Sequence, residues 1–166
     1  MRLAFRLKHH FFSAFREIFV HHHGSLEFRA KIFALMIAAN SKAQVENYII
    51  VKNAALDIYE GNEDRANLLM MSTKELVKKV TDNNGLDLDT LVAHIQKELR
   101  IVPRYAKKID IEILQPIVAL SYDQDIISYQ ENILEFLQNL KDETLSTKKD
   151  QIVEDEEKLL QESNNK

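Results

Sequence analysis

A chain of 166 residues with no cysteine and a net charge of −4 has room for one domain and a terminal extension, and it excludes disulfides, thiolate chemistry and cysteine-type zinc sites. Three glycines and two prolines are too few for the turns of a β-rich fold, so the pattern predicts long helices joined by short polar connections. The acidic balance argues against nucleic acid as the main partner. No uncharged apolar run of about 18 residues is present to span a bilayer.

Residues 1–23 carry Arg2, Arg6, Lys8 and Arg16 against Glu17 alone. Charged residues interrupt the stretch throughout and no cleavage site follows, so it does not read as a secretory signal; the expected location is cytoplasmic. On a helix, Ala4, Leu7, Phe11, Ala14, Phe15 and Ile18 share one face, and Phe5, Phe12 and Phe19 widen it. Such a face either packs into its own domain or meets a partner subunit or a membrane surface. Phe5, Phe12, Phe15 and Phe19 are the candidate interaction residues. His21, His22 and His23 point in different directions on a helix and suit a solvated helix end better than a metal site.

Gly24-Ser25 breaks that segment and caps the next, where Leu26, Ala30, Phe33, Ala34 and Ile37 give a buried face up to Ala39. Ser41-Lys42-Ala43-Gln44 has the form of a capping box. The helix after it carries Val45, Tyr48, Ile49, Leu56 and Tyr59 and ends at Gly61, a natural left-handed cap. Asn62 caps a further helix through Met70 and Met71, and a second box, Ser72-Thr73-Lys74-Glu75, predicts a bend or restart. After the Asp82-Asn83-Asn84-Gly85 turn, Asp87 caps a helix with Leu88, Leu91, Val92, Ile95 and Leu99, and His94 reads as a boundary residue.

Ile109–Leu120 reads as a helix kinked or started late by Pro116. A third box, Ser128-Tyr129-Gln130-Glu131, opens the helix bearing Ile133, Leu134, Phe136, Leu137 and Leu140. From Asp142 onward eight acids face four lysines, with Glu154–Glu157 an unbroken acidic run. Residues 142–166 therefore read as a solvated tail, partly helical or disordered, with little to bury. The expected organisation is a basic amphipathic helix at 1–23, a bundle at 24–141 and this tail, about seven to eight helices in all.

Two stretches match one another. One is Phe33-Ala34-Leu35-Met36-Ile37-Ala38-Ala39-Asn40, followed by a break and a helix with Glu46. The other runs from Ile117 through Asp123-Gln124-Asp125 to Ile127-Ser128 and Glu131. Each is an apolar helix, a polar turn and a capped helix with an early glutamate. Across residues 26–141 the chain resembles the tellurite-resistance TerB-like family and the helical domain of membrane-anchored DnaJ-like co-chaperones. In that family an Ala-x-x-Asp-Gly-x-Ile-Ser-x-x-Glu pattern occurs twice about a pseudo-twofold axis. The second stretch keeps Ile127, Ser128 and Glu131 but has Asp123-Gln124-Asp125 at the turn, and the first has Asn40-Ser41 there. No His-Pro-Asp triplet is present, so there is no J domain.

The resemblance implies an all-α binding domain whose acidic turns hold a divalent cation. Asp123, Asp125 and Glu131, completed by Glu46, would offer oxygen ligands to calcium or magnesium; the rival account is plain helix capping, which needs no metal. Catalysis has little support, since the chain lacks His-Glu-x-x-His, a Gly-rich phosphate loop and G-x-S-x-G. The expected function is a non-catalytic protein-interaction module, an adaptor or co-chaperone-like unit of a stress response. The alternative is peripheral membrane binding or self-association through residues 1–23, and a metal-dependent hydrolase using the acidic turn ranks third.

Overall fold

The computed structural model describes residues 24–164. Among them are six α-helices, one 3-10 helix and no strand, as the shortage of turn residues predicts. The basic head, with Phe5, Phe12, Phe15, Phe19 and the histidine triplet, lies outside the described residues. No helix described is long and apolar enough to cross a membrane.

Helix α1, Gly24–Ala38, is the axis of the body. The predicted face of Leu26, Ala30, Phe33, Ala34 and Ile37 is buried, but so is every other residue from Ala30 to Ile37. A helix that is apolar all round is stable only with neighbours on every side. α1 packs on α3 (Glu63–Thr81), α4 (Leu88–Ile101), the 3-10 helix (Pro103–Lys108) and the one-turn α5 (Gln115–Val118). The burial includes Lys31, whose ammonium donates to Glu98 on α4 and sits 3.1 Å from Glu27, one turn back on α1. Burial alone would lower the Lys31 pKa. The hydrogen bond to Glu98 and the two carboxylate charges outweigh it and hold the group above its ordinary value.

α2, Val45–Ile58, is apolar on more than one side, and the predicted stripe holds in part: Tyr48, Leu56 and Tyr59 pack against the core. Val45 and Ile49 stay 72 % and 53 % exposed, while Asn47, Val51 and Ala55 are buried. α3 is its main neighbour, and the small Ala55 and the slender Val51 are the deepest of its apolar side chains. The box at Ser41–Gln44 does not form. Asn40 instead accepts from the Lys42 amide at 2.9 Å, and Gln44 precedes the helix without a side-chain bond.

α2 ends in a tight reversal. Tyr59 closes the helix, Glu60 takes the left-handed conformation (φ 53°), and the Gly61 amide reaches the Leu56 carbonyl at 2.8 Å. This is the 6→1 bond of a Schellman ending, so the left-handed cap falls on Glu60 with Gly61 (φ 80°) behind it. Asn62 then caps α3 as predicted, accepting from the Arg65 amide at 3.0 Å. The restart expected at Ser72–Glu75 is absent: α3 is continuous from Glu63 to Thr81. Both hydroxyls turn back along the helix, Ser72 to the Leu68 carbonyl and Thr73 to that of Leu69, so neither serves as a cap. The same ending recurs at Asn83 (φ 50°), where the Asn84 amide bonds the Lys79 carbonyl at 2.9 Å.

Asp87 caps α4, accepting from Thr90 at 2.7 Å, and Leu91, Ile95 and Leu99 are buried as expected. The helix predicted over Ile109–Leu120 is reduced to α5, with Pro116 in its first turn where a missing N–H costs nothing. The two matching stretches thus differ in build: fifteen residues of helix precede the first turn and four precede the second.

α6, Gln124–Asn164, is 41 residues long. Its first half packs chiefly on the 3-10 helix and buries Ile133, Leu134 and Leu137. The acidic region is the direct continuation of this helix. Leu145 still packs against the core, but every side chain from Lys149 to Lys158 is exposed. Truncation after Lys149 should therefore leave the thermal midpoint nearly unchanged. Truncation after Lys141 also removes Leu145, about 1 kcal/mol of apolar burial, and should lower the midpoint by about 2–4 °C. Equal melting of both truncated forms would show that the body ends before Leu145.

Candidate functional site

The acidic turn is a helix cap. Asp123 Oδ1 accepts from the Asp125 amide at 2.9 Å and from the Ile126 amide at 3.4 Å, so Asp123 opens α6. Ser128 lies in the second turn of that helix, exposed, and the predicted Ser128–Glu131 box is displaced by five residues. Asp125, Glu131 and Glu46 are all exposed. Among the described residues no three His, Asp or Glu side chains stand together as a metal site. Asp123, Asp125, Glu131 and Glu46 therefore do not form a common ligand set, and one carboxylate spent on two amides explains the turn.

The residue of that segment with a long-range role is Gln130. It is buried, its amide donates to the Met36 carbonyl near the end of α1 at 3.0 Å, and its oxygen accepts from Ser121 at 2.8 Å. One side chain thus satisfies an orphan carbonyl of α1 and ties the turn before α6 to it. The signal was present: position 130 falls on the stripe Ile126, Ile133, Leu134, Leu137, where a glutamine must find partners.

A second constellation, missed in the sequence, gathers cations on one face. The α2–α3 reversal carries Arg65 back over Tyr59, its guanidinium 4.3 Å from the ring centroid. Arg29 of α1 approaches the same ring at 6.0 Å. Both are within cation–π range. Lys108 lies near both Arg29 and Arg104, so burial and then those two charges lower its pKa. Burial, followed by the charge of Arg65, likewise lowers that of Arg29, against the pull of Tyr59 and Asp110. Burial holds the Tyr59 hydroxyl above its ordinary value despite both arginines, so the phenol stays neutral at physiological pH. The Arg29 Nε and the Tyr59 hydroxyl are buried; the two side chains lie close together, and neither atom has a well-aligned hydrogen bond among the described residues.

The 3-10 helix carries the row onward. Phe28 and Tyr105 pack with ring centroids 5.3 Å apart, which docks Pro103–Lys108 against α1. A cleft of about 420 Å³ opens there, lined by Gly24, Ser25, Arg104, Tyr105, Lys107 and Lys108. Gly24 fits because a Cβ at that position would collide with the Tyr105 hydroxyl.

This grouping costs stability. Like charges stand side by side, and Arg65 occupies the first turn of α3, where the helix dipole disfavours a cation. Among the described residues, Asp110 is the acid that bears on Arg29. Such a face concentrates positive charge beside two tyrosines. The sequence did hold a trace of it, since Arg100, Arg104, Lys107 and Lys108 follow one another with no acid between. Arg29 and Arg65 come from distant segments, and only the packing brings them there.

No family model matches this chain, and neither a curated protein nor a solved structure is matched by it.

The capping account reverses the order of two substitutions. Asp123→Ala should cost about 1 kcal/mol, with or without millimolar calcium. Ser128→Ala, inside the helix and exposed, should be neutral or slightly stabilising. Thermal melts in which Ser128→Ala is the more damaging would restore the box at Ser128.

Proposed function

We propose that the chain is a non-catalytic interaction module that binds an acidic polypeptide through the face formed by Arg65, Tyr59, Arg29, Lys108 and Arg104. The observation that carries the reading is this row of cations, held beside two tyrosines by three separate segments in a chain of net negative charge. A charge cluster that weakens the fold is retained more readily where a partner neutralises it. Placement in an adaptor or co-chaperone-like role of a stress response, and kinship with the TerB-like family, belong to the same proposal. They rest on the resemblance of the two helix–turn–helix stretches, and the all-helical body supports them; the brevity of α5 weighs against a strict internal repeat.

Peripheral membrane binding through residues 1–23 is the second reading, and it rests on the phenylalanine-rich pattern of that segment. One set of titrations separates the two. Arg65 and Arg104 are exposed, so Arg65→Glu/Arg104→Glu should stay folded and, with like-charge repulsion relieved, melt no lower than the parent. At low salt, polyglutamate should bind the parent at least tenfold more tightly than this double variant. Vesicles of phosphatidylserine should not discriminate between them. Equal polyglutamate affinity would remove the face from the account. Vesicle binding lost on Phe12→Ser/Phe19→Ser would favour the second reading, and duplex binding lost on charge reversal would point to nucleic acid.

A further inference from the structure

The partner has a candidate within the chain. Residues 150–162 carry Asp150, Glu154, Asp155, Glu156, Glu157 and Glu162 against Lys158 alone. They lie on the part of α6 that has left the body, and every described side chain from Asp150 to Lys158 is exposed. Ile152 and Val153 sit among these acids, about half exposed. The extension contributes nothing to the core, yet it is built as continuous helix, and it presents acidic and apolar groups together. The basic face presents the complement, cations beside Tyr59 and Tyr105.

We propose that the basic face of one molecule receives the acidic end of α6 from a second copy; this rests on the interaction reading above and names its partner. The contact is between molecules because of helix geometry. Gln130 is anchored against α1, and at 1.5 Å per residue Glu154 lies about 36 Å further along the axis. An unbroken helix from Gln124 to Asn164 does not turn back to a face on its own body. Each molecule carries one face and one acidic end, so two copies related by a twofold axis close the exchange, and other arrangements propagate it. Exposed ion pairs are individually weak and screened by salt. The association is therefore concentration-dependent at low ionic strength and lost at high ionic strength.

The test uses full-length protein in three forms and reads mass by light scattering and sedimentation. The first form is the parent. The second is the face variant Arg65→Glu/Arg104→Glu. The third is the tail variant Glu154→Gln/Asp155→Asn/Glu156→Gln/Glu157→Gln, which alters exposed positions only. At 0.01 M salt, where the Debye length is about 30 Å, the parent should be at least a dimer. Its dissociation constant should rise by at least about tenfold at 0.1 M salt, where that length is about 10 Å. Each variant alone should be monomeric, and an equimolar mixture should recover a weaker mixed dimer, since one intact face then meets one intact tail. A parent monomeric at 0.01 M salt and several hundred micromolar protein overturns the proposal. So does a dimer indifferent to both variants, or one lost in the tail variant and kept in the face variant. In any of these cases polyglutamate binding that still depends on Arg65 and Arg104 would leave the interaction reading standing.

Discussion

Eight consecutive residues of α1, Ala30 to Ile37, are all buried, and most of the architecture follows from the need to cover them. A single-faced helix requires one neighbour, whereas this one requires a shell. α3, α4, the 3-10 helix and α5 supply it, and α2 packs chiefly on α3. Two of the polar groups that such burial strands are met. Lys31 is matched by Glu27 and Glu98, and the Met36 carbonyl by Gln130. Removing one partner of such a set leaves a desolvated group behind, which costs more than the bond itself contributes.

The same constraint builds the basic face. Arg29 is placed by α1, which cannot rotate without exposing apolar surface elsewhere. The reversal at Glu60 and Gly61 then fixes the start of α3, so Arg65 lands on Tyr59. Packing of Phe28 against Tyr105 brings the cations of the 3-10 helix alongside. The charges are thus held together by core packing and turn geometry. α6 behaves in the opposite way: its first half is fastened to the shell and its second half owes nothing to it.

Local signals in the sequence carried far, and tertiary ones did not. The caps at Asn62 and Asp87 and the stripes of α4 and α6 were legible, because each is set by residues within a turn or two of one another. The capping boxes at Ser41, Ser72 and Ser128 were misread for a related reason. Serine followed by glutamate or glutamine marks a helix start only where the backbone is free to begin one, and at Ser72 and Ser128 the helix was already under way. On α2 the stripe was legible at Tyr48, Leu56 and Tyr59, while the exposure of Val45 and Ile49 depends on tertiary packing that no local pattern records. The cluster of Arg29, Tyr59, Arg65 and Lys108 joins positions up to 79 residues apart, from Arg29 to Lys108. The acids at Asp123, Asp125, Glu131 and Glu46 were conspicuous in sequence, and no three of them stand together as a metal site.

Native-state hydrogen exchange resolved by residue tests the central claim, that a fully sheathed α1 is what the rest is built around. The amides of Ala30 to Ile37 should exchange only by global unfolding and be the slowest in the molecule, with those of α6 beyond Lys149 exchanging orders of magnitude faster. An α1 that opens locally while α3 or α4 stays protected would contradict it.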